Sequence, residues 1–187
     1  MKCPSCANTL EAPAPRCPHC KLSLQRLDSK FGLVPAHSRF LTDRTGKLPL
    51  DEMTQLRAAL RLFQKKFPQS LFSVFLTELP RGTSVAEYGF WLANRAKFSS
   101  VEKTEGENFN LLLVIDLAGN AAALTVGYGL ERYVPEQDLK SVLDDFANGV
   151  RDGGLAAGLR VGLDSVTRRL RELSTNARAA NFETASG

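Results

Sequence analysis

The sequence predicts an α/β domain, with a mostly central β-sheet flanked by helices on both faces, preceded by a small metal-tied ribbon. Three observations predict it. All four cysteines fall in two Cys-x-x-Cys pairs within the first 20 residues. Farther along, apolar runs of strand length alternate with apolar stripes at helical spacing. The apolar run Leu111 to Ile115, closed by Asp116 and Leu117, leads through Ala118-Gly119-Asn120 into a second run, Ala121 to Val126. Gly and Asn tolerate positive φ, so these runs read as a hairpin. The first run is apolar at every position, as expected of a central strand covered on both faces.

Cys3-Pro4-Ser5-Cys6 and Cys17-Pro18-His19-Cys20 are separated by ten residues. Each pair can wrap a tight knuckle with both sulfurs aimed at one ion. Two knuckles complete a tetrahedral shell, the spacing of a small zinc ribbon. Metal ligands Cys3, Cys6, Cys17 and Cys20 leave no open coordination position, so the Zn²⁺ is expected to be structural. About 20 residues bury too little apolar surface to fold alone, so the metal supplies the folding free energy. The rival readings are a pair of disulfides and a redox Cys-x-x-Cys. Disulfides fit a cytosolic chain poorly, and a redox motif would need a βαβ context that is missing here. His19 inside the second knuckle reads as a bystander.

The chain has 187 residues, 43% hydrophobic and 24% charged, which suits one good-sized core plus a small appendage. No window approaches the ~18 uninterrupted apolar residues of a membrane span. MKCPSCANTL lacks an apolar signal-peptide core, so a cytoplasmic location is expected. The formal net charge is +4, and residues 1–50 hold eight Lys/Arg against three Asp/Glu. Four thiolates around one zinc carry about −2, lowering the total to roughly +2. A basic N-terminal module could touch nucleic acid or another acidic surface. Lys2, Arg16 and Lys21 also serve to offset thiolate charge, and no aromatic lies between the knuckles to stack on a base.

The predicted organisation is a ribbon at 1–24, a linker at 25–39, the α/β domain at 40–173 and a polar, disordered tail at 174–187. Leu22, Leu24, Leu27, Phe31, Leu33 and Val34 make the connection too apolar for a free tether. His37 reads as a surface or turn residue. Arg39 to Asp43 is a short first strand. A helix follows from Pro49 to Phe67, with Asp51 and Glu52 at its positive end and a stripe of Met53, Leu56, Leu60, Phe63 and Phe67. Pro68 stops it. Leu71 to Leu76 is the next strand. Ser84 and Glu87 form a capping box that opens a helix to Ala96, with Trp91 as a core anchor. Pro135 to Asn148 is a helix with a C-cap at Asn148-Gly149. Gly153 to Leu173 is the last helix, where Gly154, Gly158 and Gly162 imply close approach to the sheet or a neighbouring helix. Each interior glycine costs ~1 kcal/mol against alanine.

Gly127-Tyr128-Gly129-Leu130-Glu131 directly after the second hairpin strand, then Pro135 and a helix, then a Gly-rich helix, resembles the TPM domain over roughly Phe40 to Leu173. That family includes thylakoid-lumen proteins of photosystem repair and many bacterial envelope proteins, and is sometimes called a phosphatase family. The resemblance implies an aspartate before the first domain helix, matched here by Asp43. TPM domains usually carry an Asp-Asn-Gly-like turn before the central strand; this chain has Glu107-Asn108-Phe109-Asn110 instead. The lack of an envelope signal is a second departure.

Ligand or ion sites in layered α/β domains lie where strand ends and turns converge. The candidates are Asp43, Glu78, Asn108, Asp116, Glu131 and Asp144. Several carboxylates around one mouth could hold Ca²⁺ or Mg²⁺, and a metal so held could polarise a phosphate ester. No Asp-x-Asp-x-Thr, nucleophile elbow or P-loop accompanies them. The first functional expectation is a protein- or ligand-binding scaffold with an unknown protein partner. The alternative is a divalent-metal-dependent phosphomonoesterase using Asp43 and Glu131 as catalytic residues. Nucleic-acid binding by the basic ribbon is a third.

Overall fold

The structure, a computed structural model, describes residues 2–10, 14–98 and 108–185, the side chains of 176–185 excepted. The polar connection before Asn108, including Glu107, therefore lies outside the described residues, as do residues 1, 11–13, 186 and 187. The elements are α1 (Leu24–Phe31), β1 (Leu41–Asp43), α2 (Leu50–Lys66), β2 (Phe72–Thr77), α3 (Val85–Arg95), β3 (Leu111–Asp116), β4 (Ala121–Val126), α4 (Tyr128–Glu131) and α5 (Glu136–Ala185). They divide into two compact units, Met1–Arg132 and Tyr133–Gly187.

The first unit holds a four-stranded mixed sheet in the order β1-β2-β3-β4. β1, β2 and β3 are parallel, and β4 returns antiparallel to β3. Every residue of β2 and β3 is buried, as their largely apolar sequences require, and Ser73, Thr77 and Asp116 are buried with them. In the hairpin turn it is Asn120 that takes the left-handed backbone, at φ 47°. Gly119 serves differently: a methyl there would collide with Asp116 Oδ2.

Sequence logic accounts for the helices on this sheet. α2 opens with Asp51 and Glu52 in its first turn and ends with Lys65 and Lys66, both complementing the helix dipole. Its buried stripe is Leu56, Leu60 and Phe63, and the Phe63 ring lies 5.7 Å from that of Phe72. Ser84 Oγ caps α3 by accepting from Glu87 N–H at 3.2 Å. Gly89 lets α3 settle on the sheet, for a methyl there would stand 3.1 Å from Thr125 Oγ1 and 3.5 Å from Val114. Strand alternation puts Phe72 and Val114 on opposite faces, so α2 and α3 flank the two sides.

α1 occupies part of the stretch that reads as a linker in sequence. Ser23 caps it by accepting from Arg26 N–H, and Gly32, at φ 73°, ends it. Its Leu27 joins one apolar cluster with Cys3, Cys17, Leu22, Phe75, Tyr88, Trp91 and Val114. The ribbon and the sheet therefore share a core.

The second unit is a helical hairpin. α5 is broken at Gly153 and Gly154, the latter at φ 80°. The expected stop at Asn148-Gly149 is corrected: the first arm runs on through Gly149 to this break. The arms meet through glycine. A methyl on Gly149 would sit 2.9 Å from Gly158 Cα, and one on Gly158 would collide with Val150 Cγ2 and approach Phe146 O to 2.8 Å. Close approach of the arms thus accounts for Gly158 and Gly162, whereas Gly154, where an added methyl would meet nothing within 4 Å, serves the break through its positive φ. Asp145 ties the arms together, accepting from Ser165 Oγ at 2.7 Å and pairing with Arg168 at 3.3 Å. The helix continues to Ala185, across the stretch that reads as a polar tail. Among the described residues no helix is long and apolar enough to cross a membrane.

Candidate metal centre

The four cysteines sit on two copies of one local structure, offset by fourteen residues: Lys2-Cys3-Pro4-Ser5-Cys6-Ala7 and Arg16-Cys17-Pro18-His19-Cys20-Lys21. In each, the residue before the first cysteine bridges a hydroxyl residue seven positions on, Lys2 with Thr9 and Arg16 with Ser23. In each, the residue after the second cysteine is left-handed, Ala7 at φ 57° and Lys21 at φ 61°. Ala7 N–H donates to Cys3 O at 2.9 Å, and Lys21 N–H donates to Cys17 O at 3.0 Å. The paired turns aim both sulfurs of each knuckle inward.

Cys3 Sγ and Cys20 Sγ are 3.6 Å apart, and Cys6 Sγ and Cys17 Sγ are 3.8 Å apart. All four sulfurs lie within 4.8 Å of one another. A tetrahedral shell with metal–sulfur bonds of about 2.3 Å has edges of about 3.8 Å. The donor set and its spacing therefore fit one metal ion. Burial pushes the Cys3 thiol up to about 12. Hydrogen bonds from the Asn8 side chain and backbone bring Cys6 down to about 6. Backbone donation from Cys20 also holds Cys17 below the ordinary thiol value. A metal arriving at the site displaces the protons that remain on its thiols. His19 is exposed and is not part of the cluster.

The carboxylate candidates do not gather at one mouth. Asp43, Glu78 and Asp116 lie at the C-terminal ends of the parallel strands β1, β2 and β3. Asn108 precedes β3 and Glu131 follows β4, so both lie at the other end. The reason is the hairpin: antiparallel β4 carries the chain back before Gly127 is reached. Along the strand direction the ends are about 17 Å apart, five residues of rise. Asp144 lies on α5, in the second unit.

Three of these groups, Asp43, Asp116 and Asn108, accept hydrogen bonds from backbone N–H groups of the loops around them. Asp43 accepts from Thr45 N–H at 2.8 Å, Thr45 Oγ1 at 2.7 Å, Gly46 N–H at 3.0 Å and Leu48 N–H at 3.0 Å. Burial raises its carboxyl, but these donors outweigh it and hold the group below the ordinary range. Asp116 is buried and accepts from Leu79 N–H at 2.9 Å. Asn108 accepts from Gly129 N–H at 2.9 Å through its backbone and from Asn110 N–H at 3.1 Å through its side chain. A methyl on Gly127 would collide with Asn108, so that glycine serves close approach. The GYGLE stretch forms the single helical turn α4. Burial pushes the Glu131 carboxyl up. Glu78 is exposed.

A family model of the TPM domain matches residues 41–169, more than half of the chain. The chain belongs to the TPM domain family. Its TPM domain is similar in fold to the N-terminal domain of a P. gingivalis protein solved by NMR, with TM-score 0.59, 26% identity, and 70% of this chain and 80% of that one covered. It is also similar to the BA42 protein of the psychrophilic bacterium Bizionia argentinensis, at TM-score 0.58 and 14% identity, covering 70% of this chain and 86% of the other. The N-terminal domain of the cg2496 protein of Corynebacterium glutamicum gives TM-score 0.53 and 15% identity, with 69% and 78% covered. A search among curated proteins finds no match. The cysteine cluster and α1 precede the matched TPM residues.

What sequence reasoning missed is the joint between the ribbon side and the TPM domain. Asp28 on α1 accepts from Trp91 Nε1 at 3.0 Å and from Arg95 Nε and an Arg95 terminal nitrogen at 2.8 and 2.7 Å. That fork from Arg95 holds the Asp28 carboxyl below its usual range. Lys30 pairs with Glu87 of α3 at 2.6 Å. Burial raises the Glu87 carboxyl, and hydrogen bonds from Lys30 and from Ser5 of the first knuckle bring it below the ordinary value. The Phe31 ring meets Tyr88 edge-on at 5.1 Å and lies tilted against Trp91 at 5.2 Å. Ser23 before Leu24, Leu27 and Phe31, with Gly32 after, was the available signal for α1.

Proposed function

We propose that this chain is a cytoplasmic binding or scaffolding module in which a structural zinc ribbon is fixed to a TPM domain. The observation that carries this reading is the four-sulfur cluster. Among the described residues it is the one group of three or more Cys, His or carboxylate side chains spaced to share an ion. Four soft thiolates in a closed shell favour Zn²⁺ and leave no coordination position for a substrate. The TPM carboxylates add to this reading, because both oxygens of Asp43 accept from backbone donors of its own loop and Asp116 Oδ1 accepts from Leu79 N–H of the loop after β2. The ribbon supplies a rigid surface for a protein partner, and its Lys/Arg surplus suits an acidic one. Nucleic acid is the weaker partner class, since nothing between the knuckles can stack on a base.

The second reading is a Ca²⁺- or Mg²⁺-dependent phosphomonoesterase. One observation favours it: burial raises the Glu131 carboxyl, as a general acid requires. Against it, Asp43 and Glu131 sit at opposite ends of the sheet. A phosphomonoester turnover assay with Ca²⁺, Mg²⁺ or EDTA, run beside Asp43→Asn and Glu131→Gln, separates the two. The scaffold reading expects no metal-dependent turnover and one zinc per chain by elemental analysis. Turnover that needs a divalent ion and disappears in both variants would overturn it.

A further inference from the structure

α1 has eight residues, and a helix so short is not stable in water without partners. Its partners are two. At its start, Leu22 and Ser23 belong to the second knuckle, with Cys17 N–H donating to Leu22 O at 2.8 Å and Ser23 bridging Arg16. Along its length it lies on α3 through Leu27, Phe31, Asp28 and Lys30. The first knuckle reaches α3 as well, through Ser5 beside Glu87. Cys3 and Cys17 are buried in the same apolar cluster as Trp91, Tyr88 and Leu27.

A ribbon of this size has no fold of its own without metal. Both knuckles, and the anchor at the start of α1, therefore depend on one ion. The strand pairing does not: β1, β2, β3 and β4 pair with one another, and α2 packs through Phe63 on Phe72, on the face opposite the Phe75 and Val114 side chains that join the ribbon's cluster. From this asymmetry we infer that the thiolate site is a metal-operated latch. With the ion in place, α1 lies over the aromatic face of α3. When the ion leaves, the ribbon unravels, α1 lifts, and Phe31, Tyr88 and Trp91 become accessible while the sheet stays folded. The inference rests on the metal reading of the cysteine cluster and gives that cluster a regulatory role.

Trp91 is the single tryptophan of the chain and is 1% exposed, so it reports the latch directly. The test uses the full-length protein, with metal content measured before and after treatment with a thiol-competing chelator. Removal of the ion should red-shift the Trp91 emission and raise acrylamide quenching severalfold, with the far-UV β signal retained, and added Zn²⁺ should reverse both. A Cys6→Ser/Cys20→Ser variant should show the same exposed Trp91 without chelator. Asp28→Asn should release Trp91 at a lower chelator concentration. A verified metal-free protein with unchanged emission would overturn the latch while leaving the metal reading intact. Loss of the sheet signal together with the metal would also overturn it, because the ion would then support the whole unit. Purified protein that contains no metal and binds none would remove the metal reading itself.

Discussion

Leu27 and Asp28 stand side by side on α1 and do different work. Leu27 is 1% exposed and fills the gap between the knuckles and α3. Leu27→Ala should lower unfolding free energy by about 2–5 kcal/mol, read from the denaturant midpoint. Asp43 is a residue-scale case of the opposite kind, a carboxylate kept charged by four donors from its own loop. Its folded-state pKa is depressed. Its stabilising contribution is therefore present above the unfolded value near 3.9 and is lost as pH falls through the folded value. Thermal melts from pH 7 down to pH 2 should show this loss, and Asp43→Asn should flatten part of the slope.

Among the elements, the two arms of α5 give the sharpest test. Alanine favours a helix interior over glycine by ~1 kcal/mol, yet Gly158→Ala should destabilise by about 1–3 kcal/mol. A methyl at Gly158 has Val150 and the Phe146 carbonyl in its way, whereas one at Gly162 would stand 3.3 Å from Phe146 Cβ. Gly162→Ala should therefore cost less in the same melting experiment. The elements also show what sequence can and cannot reveal. The hairpin of β3 and β4 was legible because an unbroken apolar run is local information, and so was the Ser84 cap of α3. The knuckles were legible for the same reason. α1 was not, since its eight residues carry only Leu24, Leu27 and Phe31 as a stripe, and its stability comes from Trp91 and Arg95, 63 and 67 residues away. The separation of the carboxylates is not legible in residue type: Asn108 enters parallel β3 and Glu131 leaves antiparallel β4, so both lie at the end opposite Asp43, Glu78 and Asp116.

For the molecule as a whole, the family match begins at residue 41, but the first unit does not. The TPM sheet and the ribbon bury a common set of side chains, so the ribbon cannot be cut away cleanly. Removing residues 1–31 should leave Tyr88 and Trp91 uncovered. The truncated chain should bind a hydrophobic dye such as ANS more strongly than the intact one, and should melt at a lower temperature. Equal dye binding and equal melting would mean that α1 contributes no cover.

The twin knuckles are alike in backbone but not in setting. Cys3 and Cys17, the leading sulfur of each, face the protein, while Cys6 and Cys20 are only partly covered. Ion exchange at such a shell has a direction. An ion held by these four sulfurs would be reached from the side of Cys6 and Cys20, so a competing thiol or an incoming cation would meet that pair before the buried Cys3 and Cys17.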